Sequence, residues 1–179
     1  MNIRTILVPV DFSTCSQLVC GQAGSLAARL GAQVVVLHVA ELPSGLKPGT
    51  TLHPDGGERK AGDLVVDDAR ARLAPYVADA AAHGAPVEAR VALGPVVATI
   101  LAEVTASQAD LVVIGTHGRT GLARVVLGSV AEAVAHQSKA PVMLIRREVR
   151  PECGRESCDW CPKSGQSPAE AAAAEEANG

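Results

Sequence analysis

Aromatic residues are nearly absent from this chain. Phe12, Tyr76 and Trp160 are the whole set, 2% of 179 residues. Proteins that bind single-stranded nucleic acid without sequence preference stack bases on aromatic platforms, so that class is disfavoured. Excess positive charge is missing too: the formal net charge is −3, which argues against a surface that tracks phosphate backbones. No apolar run approaches the roughly 20 residues a membrane-crossing helix needs. The longest, such as Val34–Leu37 and Leu111–Ile114, are far shorter. The N-terminus, Met1-Asn2-Ile3-Arg4, enters a strand-like run at once, without the apolar region and cleavage site of a secretory signal. The expected location is cytoplasmic, with no membrane and no nucleic acid among the partners. A secreted disulfide framework is also missing. The cysteines are Cys15, Cys20, Cys153, Cys158 and Cys161, an odd number with three crowded near the C-terminus.

What the chain does have is aliphatic. Hydrophobic residues make up 47%, so the core is Val, Leu, Ile and Ala. The length suits one domain with a tail. Residues 1–150 hold 14 Lys and Arg against 13 Asp and Glu, whereas residues 151–179 hold two against six. Two units follow: a folded domain over residues 1–147 and a flexible acidic Cys-containing tail over 148–179. The tail's last stretch, Pro168 to Gly179, offers no core residue larger than Ala.

The apolar pattern alternates between two periods. Residues 3–10 read as a buried strand, and Ser13 is placed to cap a helix over 14–30. Val19, Ala23, Leu26, Ala27 and Leu30 form its stripe, and Gly31 stops it. Residues 33–39 are a second buried strand. The Pro- and Gly-rich residues 41–60 predict a long loop. A helix over 62–83 ends at Gly84, and residues 86–93 alternate as a strand with one less buried face. Gly94-Pro95 opens the next helix, with Pro95 at its first position. Strand 110–115, a Gly-rich stretch over 115–128, helix 129–138 and strand 142–145 complete the chain. Strand and helix alternating in this way predict an α/β fold: an open five-stranded parallel sheet, Rossmann-like, with helices on both faces. Such sheets bind ligands at the carboxyl ends of strands, where the strand order reverses.

Two strand ends carry the candidate chemistry. One is Pro9-Val10-Asp11. The other begins at Gly115-Thr116-His117-Gly118 and runs to Gly128-Ser129. Glycines at a strand end let backbone amides approach a ligand. Gly128-Ser129 opens a helix, whose first N–H groups and partial positive charge favour phosphate. The spacing Gly115-x2-Gly118-x9-Gly128-Ser129 therefore predicts a nucleotide with its phosphates between Gly118 and Ser129 and its sugar near Asp11. The competing reading is a Gly-rich turn with an ordinary cap. Arg119 leans toward a phosphate contact and Arg124 toward a solvated face. His117 is either a helper for water attack or a surface residue, and His38 reads as structural.

Other chemistries fit less well. There is no Gly-x4-Gly-Lys-Ser/Thr phosphate loop and no Gly-x-Gly dinucleotide start. A phospho-accepting receiver domain needs acidic partners beside Asp11, which stands alone. Cys153-x4-Cys158-x2-Cys161 supplies three ligands where structural zinc needs four, so zinc, a redox switch and no assigned task stay open there. Cys15 and Cys20 read as packing residues.

Taken together, Ile6-Leu-Val-Pro-Val-Asp11-Phe-Ser13, Leu37-His-Val39, Gly94-Pro95 and the segment from Asp110 to Arg146 resemble the universal stress protein family, in its UspA-type, ATP-binding subgroup. The resemblance covers about residues 1–147 and leaves out the tail. It implies the adenine-nucleotide alpha-hydrolase-like variety of the fold and a regulatory role in stress response. It also implies that Asp11 contacts ribose, that the backbone of Val39 reads the adenine edge, and that Val10 and Ile114 line the pocket. Gly115, Gly118, Gly128, Ser129 and Val130 would hold ribose and phosphates, with Mg²⁺ or Mn²⁺ arriving on the ATP. A homodimer through the last strand, Val142, Met143, Leu144 and Ile145, is implied as well. The alternatives are a slow ATP hydrolase using the same pocket, or a redox or zinc adaptor working through the tail.

Overall fold

Residues 2–54, 57–116 and 127–146 are described by the structure, a computed structural model. The β-branched run after Arg4 forms strand β1 (Thr5–Val10), buried at every position except Pro9. Ser13 then caps helix α1 (Thr14–Leu30), its Oγ accepting the Ser16 N–H at 3.2 Å. Gly31 closes that helix with a left-handed φ of 66°. Strand β2 (Gln33–Ala40) is buried from Val34 onward. The expected loop carries a small antiparallel hairpin, β3 (Thr51–Leu52) with β4 (Arg59–Lys60). Two-residue strands have no periodicity to read. Helix α2 (Ala61–Ala81), strand β5 (Val87–Leu93), helix α3 (Val96–Ala106), strand β6 (Leu111–Gly115), helix α4 (Ser129–Gln137) and strand β7 (Val142–Ile145) follow.

Pro95 departs from its expected place. Its ψ of 126° is extended, so it caps α3 rather than starting it. Its carbonyl accepts the Thr99 N–H at 2.9 Å, the first bond of the helix. Pro75 lies inside α2, where it can donate no helical hydrogen bond. The buried face on both sides of it, Ala69, Leu73, Tyr76 and Ala80, carries the helix through.

The expected α/β sheet is there: five strands in the order β5-β2-β1-β6-β7, each neighbouring pair parallel. The chain builds outward from β1 through β2 to β5, then returns to place β6 and β7 on the other side. The order therefore reverses between β1 and β6. Alternate residues of β2 face opposite layers. Val34 and Val36 join the core under α1 and α2. Val35, Leu37 and Val39 join the core under α3 and α4.

Helices α1 and α2 cross closely. A Cβ added at Gly24 would lie 1.9 Å from the carbonyl oxygen of Ala80, so only glycine fits there. Beside this crossing Cys20 is fully buried and Asp79 nearly so. Burial, with the Asp79 charge second, pushes the Cys20 thiol far above its usual value. Both Cys15 and Cys20 are buried and neither is in a disulfide, as a packing role requires.

Candidate functional site

The β1–β6 ladder is short where the strand order reverses, and Pro9, two residues beyond its last pair, cannot extend it. Thr5 accepts the Asp110 N–H through its carbonyl, while Arg4 accepts the Gln33 N–H. Alternate residues of β1 thus address alternate neighbours. Thr5, Leu7 and Pro9 present their backbone to β6. Proline has no N–H to give. β1 pairs with β6 only at Ile6↔Leu111 and Leu7↔Val112, while its pairing with β2 continues to Val10↔His38. Beyond Leu7, β1 and β6 are unzipped toward their carboxyl ends.

Asp11 stands at the mouth of that crevice. Its Oδ1 accepts the Ser16 hydroxyl at 2.7 Å and the Ser13 N–H at 3.1 Å. The Asp11 N–H donates back to Ser16 Oγ at 3.2 Å. The carboxylate is thus oriented by the first turn of α1 before any ligand arrives. Phe12 follows with φ of 63°, a left-handed conformation costly for a bulky residue. Its ring stacks on His38 at 3.9 Å between centroids and tilts against Tyr76 at 5.6 Å. The Arg72 guanidinium lies 4.2 Å from the ring centre, a cation–π distance. His38 Nδ1 is 2.8 Å from the Val10 carbonyl. A carbonyl only accepts, so Nδ1 carries the proton, and the structural role read for His38 holds. Burial raises the Tyr76 phenol above its ordinary value, and the nearby Asp11 charge adds to the rise.

The opposite wall is built by Thr116. Its N–H donates to the Ile145 carbonyl at 2.9 Å, and its own carbonyl accepts the Gly128 N–H at 2.8 Å. The chain therefore leaves β6 and returns to α4 through one hydrogen bond. A Cβ at Gly128 would meet the Thr116 oxygen at 3.1 Å. The Gly128 φ of −70° suits any residue, so space rather than backbone freedom favours glycine. Among the described residues no side chain caps α4, and its first amides have no intrahelical partner.

The structure places Pro9, Val10 and Asp11 at the end of β1, Val39 near the end of β2, and Ile114 and Gly115 at the end of β6. Gly128 caps α4, and Ser129 and Val130 begin it. Val10, Val39 and Ile114 are buried, whereas Ser129 is exposed. All of them lie on one edge of the sheet. Gly118, Arg119, His117 and Arg124 fall outside the described residues, as do Cys153, Cys158, Cys161 and Trp160. The sequence reading missed Thr116 and Ser16. The Ser16 signal was present, since Asp11-x-Ser13-x2-Ser16 puts three short polar side chains on one helix start. Among the described residues no group of three or more His, Cys, Asp and Glu is placed to hold a metal ion. No helix among them is long and apolar enough to cross a membrane.

The family model described as "Universal stress protein family" matches residues 2–146. The chain belongs to that family. Among universal stress proteins, one of Mycobacterium tuberculosis is 33% identical over 149 residues, covering 79% of this chain and 45% of its own length. The chain thus spans about half of that relative. A universal stress protein solved in complex with cAMP is 25% identical, with a TM-score of 0.61, covering 82% of this chain and 98% of the other. One from Archaeoglobus fulgidus solved in complex with dAMP is 26% identical, with a TM-score of 0.58, covering 81% and 99%.

Proposed function

We propose that this universal stress protein binds ATP in the β1–β6 crevice and uses the bound nucleotide as a signal in stress response rather than as fuel. The observation that carries this reading is the unzipped β1–β6 pair, flanked by an oriented carboxylate at Asp11 and by the start of α4 at Gly128, which no side chain caps among the described residues. Relatives of the same fold with cAMP and dAMP bound support an adenine nucleotide. In this reading Asp11 accepts from ribose hydroxyls, and Val10, Val39 and Ile114 line the base and sugar pocket with Pro9 behind them. Gly115, Gly118, Arg119, Gly128, Ser129 and Val130 hold the sugar and phosphates. The α4 amides favour negative charge there. Mg²⁺ or Mn²⁺ would enter on the triphosphate, which suits ions that keep water and phosphate ligands.

The working unit is residues 1–147, with 148–179 as an acidic tail, and the protein acts in the cytoplasm. It pairs with a second copy through β7. Among the described residues that strand is a sheet edge, and its Leu144 is 39% exposed. Unpaired apolar edges favour strand addition.

Mass spectrometry of small molecules released from the denatured protein, followed by ATP titration of the emptied chain, tests the reading. Stoichiometric adenine nucleotide, or saturable ATP binding, is the expected result. A chain that arrives empty and ignores millimolar ATP overturns it. Turnover above about 1 per second, the low end for ordinary enzymes, would make the nucleotide a substrate and overturn the signalling role.

A further inference from the structure

An open pocket lies between residues 48–49 and 59–60 on one side and α2 on the other. Its volume is about 630 Å³, within the range of small-molecule sites. Pro48, Val66 and Leu93 give it an apolar lining. Lys60, Asp63 and Arg70 give it a charged wall. Arg59 and Asp67 also line it but pair with each other. Lys60, Asp63 and Arg70 take part in no ion pair among the described residues.

The walls are fastened together without a ligand. The Ala61 N–H donates to the Thr50 carbonyl at 2.8 Å, and the Gly62 N–H to the Pro48 carbonyl at 3.0 Å. These loop carbonyls cap the helix, so its amide terminus is not what the cavity offers. A Cβ at Gly62 would meet Pro48 at 3.1 to 3.3 Å. Glycine is a poor helix former. Its presence in the first turn of α2 lets the loop seat there and hold the cavity open.

The unmatched charges define the complement. Two cations call for two acidic groups, and Asp63 between them calls for an amine. Ten residues separate Lys60 from Arg70, about 15 Å along a helix, and their own long side chains shorten the gap. We propose that this cavity is a second ligand site for a short peptide-like organic anion, with carboxylates toward both ends and one ammonium group. Its apolar middle lies on Val66 and Leu93. Leu93 pairs with Ala40 in register, one residue beyond Val39, so the site shares the sheet edge of the nucleotide crevice but faces α2.

Titration of the full-length, isotopically labelled protein with the tripeptide Glu-Ala-Glu tests this by amide NMR. The expected result is saturable shifts at Gly49, Gly62, Val66 and Leu93. End-blocked Gln-Ala-Gln should produce none. Lys60→Gln and Arg70→Gln should each weaken the tripeptide about tenfold, as loss of a charge-assisted contact does, and leave ATP affinity unchanged. Both side chains are exposed, so the fold tolerates the changes. Absence of saturation at millimolar tripeptide, equal binding of the uncharged peptide, or shifts confined to the β1–β6 crevice would each overturn the site. Since ATP is measured separately, a chain that binds the tripeptide but not ATP refutes only the nucleotide reading.

Discussion

Gly128 and Thr116 share a single backbone hydrogen bond of 2.8 Å that joins the start of α4 to the end of β6. Any side chain at position 128 presses on that bond from 3.1 Å away. Gly128→Val therefore shifts the start of α4 away from Thr116. ATP affinity, read by calorimetry, should fall at least about tenfold, equivalent to ~1.4 kcal/mol. Far-ultraviolet circular dichroism should stay unchanged, because the buried Ala131 and Val134 still anchor α4 on the sheet.

Asp11 and Ser16 act as a pair. Asp11→Ala removes the carboxylate itself and should weaken ATP and AMP alike, by about 10- to 100-fold, the range for a hydrogen bond to a charged group. Ser16→Ala leaves the carboxylate but removes its 2.7 Å restraint, so a smaller loss of about 1 kcal/mol is expected. A loss confined to ATP would place Asp11 at the phosphates instead of the sugar.

Gly24→Ala tests the α1–α2 crossing. Alanine is the better helix former by about 1 kcal/mol, yet its Cβ would collide with the Ala80 carbonyl. Overpacking of this kind costs about 1–3 kcal/mol, and here the clash is with backbone that cannot rotate aside. A net loss of about 2 kcal/mol should lower the thermal midpoint by about 6 °C. An unchanged or raised midpoint would mean that the helices slide apart freely.

Asp79 gives stability a pH dependence of unusual sign for a carboxylate. It is buried beside α1, its Oδ2 has no hydrogen-bond partner among the described residues, and burial raises its proton affinity. As pH rises, the unfolded chain loses this proton first. The contribution is complete below the ordinary carboxylate range and is lost as pH climbs through the raised folded-state value. Asp110 has the opposite sign. The Arg4 and Thr5 N–H groups hold its carboxylate below the usual range, so its contribution fades as pH falls. Denaturant midpoints measured from about pH 4 to about pH 8 should show a downward slope that Asp79→Asn flattens and Asp110→Asn leaves in place.

Legibility followed the range of the interactions. β2 stands out by its run Val34–Leu37 and β7 by being apolar throughout, and Ser13 and Gly31 mark α1 because caps act within a few residues. The strand order could not be read. Nothing local in residues 87–93 says that they pair with β2 rather than β1. The stack of Phe12 on His38, with Arg72 over the ring, joins residues 26 and 60 positions apart, beyond any local pattern. The places of Asp11, Gly115, Gly128 and Ser129 at strand ends and a helix start were legible because the local pattern marks where elements begin and end. Thr116 was not, because its part is played by its own N–H and carbonyl, which every residue has.

A proline in the middle of a sheet is an economy of motion. The β1–β6 ladder already ends at Leu7, so a nucleotide held as proposed need break no strand pairing, and filled and empty forms should share nearly the same sheet. News of occupancy would then leave the pocket by its rim, through Asp11 and Phe12 to Arg72 on α2. The strands would be the anvil rather than the messenger.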